Sequence, residues 1–85
     1  MDKTDKLKKI AKIILDVGEN KNIIETREVD KIIYQVTGKM ERNTKYEFRE
    51  YLYTFDLINN FISNEIKSNN AFIIEKENIK RFLNE

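Results

Sequence analysis

The chain lacks the residues that most often build covalent or metal-based sites. Its 85 residues include no cysteine and no histidine. The first absence excludes disulfides and cysteine-ligated zinc. The second removes the commonest general base and the commonest transition-metal ligand. Catalysis would have to use carboxylates, lysines or tyrosines, and the sequence gathers none of these into a recognisable site. We therefore predict a protein that is not an enzyme and that uses no metal or cofactor.

Proline is absent, glycine occurs twice, and long apolar runs are missing. No proline-rich, glycine-rich or low-complexity stretch divides the chain, so we predict a single domain over residues 1–85. A domain this short buries only about 60–65% of the surface of its unfolded chain. Every apolar run is too short to cross a bilayer, and Lys12 interrupts the one that resembles a signal peptide. We expect a soluble, cytoplasmic protein without a membrane partner.

The chain also lacks a large excess of positive or of negative charge. Sixteen basic residues face fifteen acidic ones, which gives a formal net charge of +1. Such a balance creates no overall field that would attract nucleic acid or anionic lipid. Binding to a polyanion would therefore depend on where the basic residues lie, not on their number.

Apolar residues at spacings of three and four predict helices in most of the chain. The first covers 3–17, with Thr4 as N-cap and Gly18 as its stop, and the second has Thr26 as N-cap and ends at Gly38. A third begins at the capping box 44-TKYE-47, with Asn43 as a competing N-cap one residue earlier, and a fourth covers 77–85. The predicted core residues of the four helices are Leu7, Ile10, Ala11, Ile14, Val17, Val29, Ile32, Ile33, Val36, Phe48, Tyr51, Leu52, Phe55, Ile58, Ile79, Phe82 and Leu83.

The pattern after the third helix favours strands. The stretch 59-NNFISNE-65 alternates imperfectly, and 71-AFIIEK-76 is rich in β-branched and aromatic residues. The polar segment 66-IKSNN-70 between them predicts a hairpin turn, because asparagine tolerates left-handed backbone. An isolated hairpin is unstable in water, so Ile23 and Ile24 are expected to add a third strand. The predicted fold is mainly α with a small β-hairpin (α+β), in the order α-β-α-α-β-β-α.

The stretch 26-TREVDKIIYQVTGKMERNTKYEFREYLYTFDLI-58 resembles the core of winged helix-turn-helix domains. Its end, 52-LYTFDLI-58, is similar to the phrase of a leucine, three residues and Gly-Leu-Ile that leads into the wing in such families. Asp56 stands where glycine is usual. The resemblance implies a helix-turn-helix core over 26–58, a wing hairpin over 59–76 and a C-terminal helix over 77–85.

The same resemblance implies a transcriptional regulator that binds double-stranded DNA and forms a homodimer. Its third helix would enter the major groove, where Arg49 could contact guanine and Asn43 could contact adenine or a phosphate. Lys39 and Arg42 are suited to phosphates. The expected DNA-binding residues are Lys39, Arg42, Asn43, Thr44, Lys45, Tyr46 and Arg49, with Lys67, Asn69 and Asn70 at the wing tip.

A second interpretation stays open from the charge pattern. The four basic residues between positions 39 and 50 alternate with Glu41, Glu47 and Glu50, and a helix face of mixed charge is usually a solvated one. Tyr46 and Tyr53 fall off the apolar stripe. The alternative function is therefore a winged-helix-like module that binds protein through a mixed surface and does not bind nucleic acid.

Overall fold

The computed structural model describes residues 2–62 and 67–85. In these ranges four helices and three strands follow one another along the chain. They are α1 (Lys3–Val17), β1 (Ile23–Glu25), α2 (Thr26–Thr37), α3 (Arg42–Thr54), β2 (Ile58–Ile62), β3 (Lys67–Ile74) and α4 (Lys76–Leu83). The predicted class, mainly helical with a small antiparallel sheet, is confirmed. None of the helices in the described part of the chain is both long and apolar enough to span a membrane.

The three strands form one antiparallel sheet in the order β1-β3-β2. Ile23 lies opposite Ile73 and Ile24 opposite Phe72, so the predicted third strand is confirmed. The hairpin pairs Ile58 with Ile74 at its base, and its register shifts between Asn60 and Ile62. The sheet thus joins a segment before α2 to the hairpin after α3.

The predicted hairpin turn at 66–70 is wrong for most of its length. Residues 67–70 belong to β3, and Lys67 lies opposite Ile62. Pairing with β2 outweighs the turn preference of the sequence KSNN, because each added pair satisfies backbone groups of both strands. Ile66, also placed in the turn, lies outside the described residues together with 63–65.

The predicted N-caps of three helices differ from the observed ones. The N-cap of α1 is Asp2, whose Oδ1 accepts a hydrogen bond from the Asp5 amide at 2.8 Å, and Thr4 lies inside the helix. Helix α2 already includes Thr26, after Glu25 as N-cap. Helix α3 begins at Arg42, two residues before the predicted capping box, with Glu41 as an N-cap that makes no side-chain cap. Thr44 and Glu47 therefore do not form a capping box.

Both glycines end helices, as predicted, but for different physical reasons. Gly38 has φ +73° and takes the left-handed conformation that glycine adopts at little cost. Gly18 has φ −72°, which suits any residue. A Cβ there would lie 3.3 Å from Ile74 Cγ2 and from Lys76 Cε. Glycine at position 18 therefore gives α1 room beside the end of β3.

The hydrophobic core lies between the helices and the sheet.

Phe55, predicted to be buried, is instead 53% exposed and stacks on Phe82 at 5.7 Å between ring centroids. It follows the last turn of α3, where the helical spacing that predicted its burial no longer applies. Val17, Val36, Tyr51, Phe82 and Leu83 are partly buried at the edge of the core. The buried apolar residues are Leu7, Ile10, Ala11, Ile14, Ile24, Val29, Ile32, Ile33, Phe48, Leu52, Leu57, Ile58, Ile74 and Ile79.

The turn from α3 into the sheet depends on Asp56. Its φ is +58°, a left-handed conformation that aspartate tolerates better than most residues. Asn78 Nδ2 donates a hydrogen bond to the Asp56 carbonyl oxygen at 2.9 Å, and the Leu57 amide donates to the Leu52 carbonyl oxygen. Aspartate therefore makes the left-handed turn for which glycine is the usual residue.

Candidate nucleic-acid interface

Helix α3 has one buried and one exposed face. Phe48 and Leu52 are buried and fix the helix to the core. Four exposed residues recur on the outer face at spacings of three and four: Asn43, Tyr46, Glu50 and Tyr53. Any partner that contacts α3 along its length must meet these side chains.

Most of the basic residues around the start of α3 remain unpaired. Lys39 and Arg42 are exposed, and Lys45 is half-buried, as is Thr44. None of the three cations forms an ion pair with a residue that the structure describes. These residues lie together at one end of α3, where Arg42, predicted in the preceding turn, is the first residue of the helix.

Arg49 is held within the protein. Its Nε lies 3.1 Å from Asp30 Oδ1 of α2, and both side chains are 24% exposed. The two atoms are buried and lack the angles of a hydrogen bond, so the contact is an ion pair. The Arg49 guanidinium also lies 4.8 Å from the centre of the Tyr46 ring, a cation–π contact. In this arrangement Arg49 links α3 to α2, and its contact with guanine stays a prediction.

Glu47 is also paired within the protein. Lys3 Nζ, at the start of α1, lies 2.6 Å from Glu47 Oε1, and the Tyr51 hydroxyl donates a hydrogen bond to the same oxygen at 3.1 Å. The hydrogen bond from Lys3 is the largest of the effects that lower the pKa of Glu47, and Glu47 in turn raises the pKa of Lys3. Lys3 therefore offsets one of the three acidic charges that alternate with the basic residues.

The other two glutamates near α3 are exposed. Glu41 precedes the helix, and Glu50 lies in the middle of its outer face. Neither forms an ion pair with a described residue. Glu50 would repel a phosphate that approached the centre of this face, whereas the amino end of the face is richer in positive charge.

The residues expected at the wing tip lie in a strand. Lys67, Asn69 and Asn70 all belong to β3, and Lys67 is opposite Ile62 of β2. Their predicted placement in a loop is wrong, while their predicted contact with DNA stays a prediction.

Sequence reasoning missed several residues that shape this region. Asp30 pairs with Arg49, and Lys3 pairs with Glu47. A small hollow of about 110 Å³ is lined by Asp30, Lys31, Tyr34, Met40 and Lys45. The exposed position of Lys31 and Tyr34 on α2 follows from helical spacing, because both fall off the apolar stripe. The pairing partners depend on how α1 and α2 cross α3, which helical spacing does not specify.

Comparison with protein-family models, with curated proteins and with solved structures found no match to this chain. In the part of the chain that the structure describes, no group of three or more acidic side chains is placed to hold a metal ion.

Proposed function

We propose that the chain is a winged-helix DNA-binding protein that acts as a transcriptional regulator. Helix α3 enters the major groove, and the β2–β3 hairpin lies against the flanking backbone as the wing. The order of elements supports this proposal. Helix α2 is followed by a short turn, then by α3 and the β2–β3 hairpin, and β1, which precedes α2, pairs with that hairpin as a third strand. That arrangement exposes the amino end of α3.

The observation that carries the proposal is the cluster of unpaired basic residues at the amino end of α3. Asp30 is paired with Arg49 and Glu47 with Lys3, while Lys39, Arg42 and Lys45 keep their charges unpaired among the described residues. These pairings leave the excess at one positive charge, as in the sequence count, but the three unpaired cations lie at the amino end of α3 with Glu41 alone opposing them, because Glu50 lies in the middle of the helix. Phosphates are attracted to such a surface.

The backbone at the start of α3 adds to this attraction. Glu41, the N-cap, makes no side-chain hydrogen bond to the first turn. The first amide groups of a helix have no partner within it, and together with the helix dipole they favour an anion. Asn43 and Tyr46 are exposed one turn apart next to these amides and are the residues best placed to contact bases.

The experiment compares two double variants in duplex titrations by fluorescence anisotropy. We expect Arg42→Ala with Lys45→Ala to weaken duplex binding about tenfold or more, because each lost phosphate contact reduces the counterion release that drives binding. The control, Lys80→Ala with Arg81→Ala, removes the same charge from α4. Asn78, also on α4, donates a hydrogen bond to Asp56, which lies just after the carboxyl end of α3. Helix α4 therefore begins near that end, about 20 Å from the amino end of α3 for a helix of this length.

Equal losses in both double variants would show that only total charge matters and would contradict a binding role for α3. Wild-type protein that fails to bind any duplex at low salt would contradict the proposal as a whole.

A second candidate function is a protein-binding module, and one observation favours it. Met40 is 70% exposed, Tyr46 53% and Tyr34 47%, and all three lie around the turn between α2 and α3. Exposed aromatic and methionine side chains are enriched at protein interfaces. Under this alternative, Tyr46→Ala and Met40→Ala abolish capture of a protein partner, and Arg42→Ala with Lys45→Ala has little effect on it.

We also propose that the protein binds DNA as a homodimer, since two linked half-sites add affinity through effective concentration. Sedimentation equilibrium in the micromolar range tests this. A mass that stays monomeric, both alone and with duplex, would contradict it.

A further inference from the structure

A second surface, away from the start of α3, has a different composition. It is a broad groove of about 580 Å³, open to solvent, which we call the lysine groove. Helix α1 contributes four of its lining residues, and α2 and α4 contribute the others. The lining residues are Lys8, Lys9, Lys12, Ile13, Gln35, Val36 and Leu83.

The lysine groove combines an apolar base with a basic rim. Ile13, Val36 and Leu83 are partly buried and pack against the core, so they form the base. Lys9 and Lys12 are exposed. None of the lining residues is acidic. An apolar strip beside several lysines calls for a ligand that is both apolar and negatively charged.

The lysines of the groove are only partly neutralised by neighbours. Lys12 Nζ lies 3.1 Å from Asp16 Oδ1, and both side chains are more than half exposed. Lys8 donates a hydrogen bond to the Glu85 carbonyl oxygen at 2.8 Å and lies 6.0 Å from the centre of the Phe82 ring. Lys9 forms no ion pair with a described residue. The rim therefore keeps a net positive charge.

We propose that the lysine groove binds an acidic amphipathic helix of a partner protein. The exposed lysines Lys9 and Lys12 are three residues apart on α1 and lie on one side of the helix. Carboxylates at the same spacing on a partner helix would lie opposite them, and its apolar residues would cover Ile13, Val36 and Leu83. This is the helix-in-groove mode of recognition, with charge complementarity setting the orientation.

Other occupants fit the groove less well. A second copy related by a twofold axis would bring the same lysines of both copies together, because such an interface is self-complementary. A small molecule is normally enclosed over most of its surface, which an open groove does not provide. Single-stranded nucleic acid requires aromatic side chains for stacking, and the base of the groove is aliphatic.

The test uses a fluorescein-labelled synthetic helix about 15 residues long, with glutamate and leucine repeating at spacings of three and four. A matched probe has glutamine in place of every glutamate. We expect the acidic probe to bind wild-type protein in an anisotropy titration and the glutamine probe to bind at least tenfold more weakly. Equal binding of both probes, or no binding of the acidic probe at millimolar protein, would overturn the proposal.

Charge reversal locates the binding surface. Lys9→Glu with Lys12→Glu is expected to weaken binding of the acidic probe about tenfold or more, because it places like charges opposite each other. The control, Lys6→Glu with Lys80→Glu, makes the same change in net charge outside the groove and is expected to keep most of the binding. Equal loss in both would overturn the assignment. Circular dichroism shows that each variant is folded.

Two further measurements separate the other occupants. The first is competition by duplex DNA. If duplex DNA displaces the acidic probe and the groove variant no longer binds DNA, the lysines belong to a nucleic-acid surface and the proposal is overturned. The second is sedimentation equilibrium. If the wild type self-associates and the groove variant does not, the occupant is a second copy of the chain, which would also overturn the proposal. The proposal does not depend on DNA binding by α3, since the two surfaces share no residue.

Discussion

Replacing Asp30 by asparagine tests whether the ion pair with Arg49 joins α2 to α3. At 3.1 Å and an effective dielectric constant of about 20, two unit charges attract by about 5 kcal/mol. Desolvation offsets most of this attraction, because each side chain is only 24% exposed. We therefore expect a net coupling of about 1–2 kcal/mol between the two side chains. Asp30→Asn should cost about 2 kcal/mol, since it also leaves Arg49 charged and poorly solvated.

The assay is a double-mutant cycle of Asp30→Asn and Arg49→Gln, followed by urea and thermal unfolding. For a domain of this size, about 2 kcal/mol corresponds to a fall in Tm of about 8–16 °C. The matched control is Asp16→Asn, which breaks the exposed pair with Lys12 and should cost no more than about 0.5 kcal/mol. A coupling energy below about 0.3 kcal/mol would refute the assigned role of the pair.

The same variant has a consequence for DNA binding. Asp30→Asn removes a negative charge next to α3 and frees Arg49 from its partner. We expect tighter duplex binding at low salt, by about three- to tenfold, even though the protein is less stable. Unchanged or weaker binding by the folded variant would show that Arg49 does not contribute to a DNA surface.

Two further predictions concern the turn after α3 and the pair between Lys3 and Glu47. Asp56→Gly should change the free energy of unfolding by less than about 1 kcal/mol, because relief of the left-handed backbone is offset by the entropy of glycine. Asp56→Val should lower it by about 2 kcal/mol, and equal effects in urea titrations would contradict the observed φ. The pKa of Glu47 is lowered from its ordinary value of 4.5 by the pair with Lys3. The pair therefore stabilises the fold fully at a pH above 4.5, and this stabilisation is lost as the pH falls through the lowered pKa. The Tm advantage of the wild type over Glu47→Gln should therefore be present at about pH 7 and shrink at about pH 3, and a constant difference would contradict the pairing.

Local patterns predicted the elements well where one physical cause dominates. The spacing of Leu7, Ile10 and Ile14 identified α1, and the β-branched pair Ile23 and Ile24 identified the third strand, since both depend on burying an apolar face. Gly38 ended α2 because its left-handed conformation favours glycine.

Local patterns failed where tertiary contacts compete with a local signal. The sequence 44-TKYE-47 has the form of a capping box, but Glu47 pairs with Lys3 and the helix begins two residues earlier. The stretch 67–70 has turn chemistry but extends β3. Arg49 falls on the predicted reading face, yet its pairing with Asp30 depends on the crossing of α2 and α3.

The alternating charges of the candidate site also depend on tertiary contacts that the local sequence does not specify. The count of acidic and basic residues between positions 39 and 50 gives almost no net charge. The structure leaves this net charge unchanged but decides which residues keep an unpaired charge, because Lys3 of α1 pairs with Glu47 and Asp30 of α2 pairs with Arg49. The charge of a surface depends on which residues are paired, and contacts between separate helices decide this.

The salt dependence of duplex binding tests the central proposal most directly. If α3 and its preceding turn contact phosphates through Lys39, Arg42 and Lys45, the slope of log K against log salt for the wild type should be about −3, and Arg42→Ala with Lys45→Ala should reduce its magnitude by about 2. The control with Lys80→Ala and Arg81→Ala should keep the wild-type slope. A slope near zero for the wild type, or the same slope in all three proteins, would contradict DNA binding by α3.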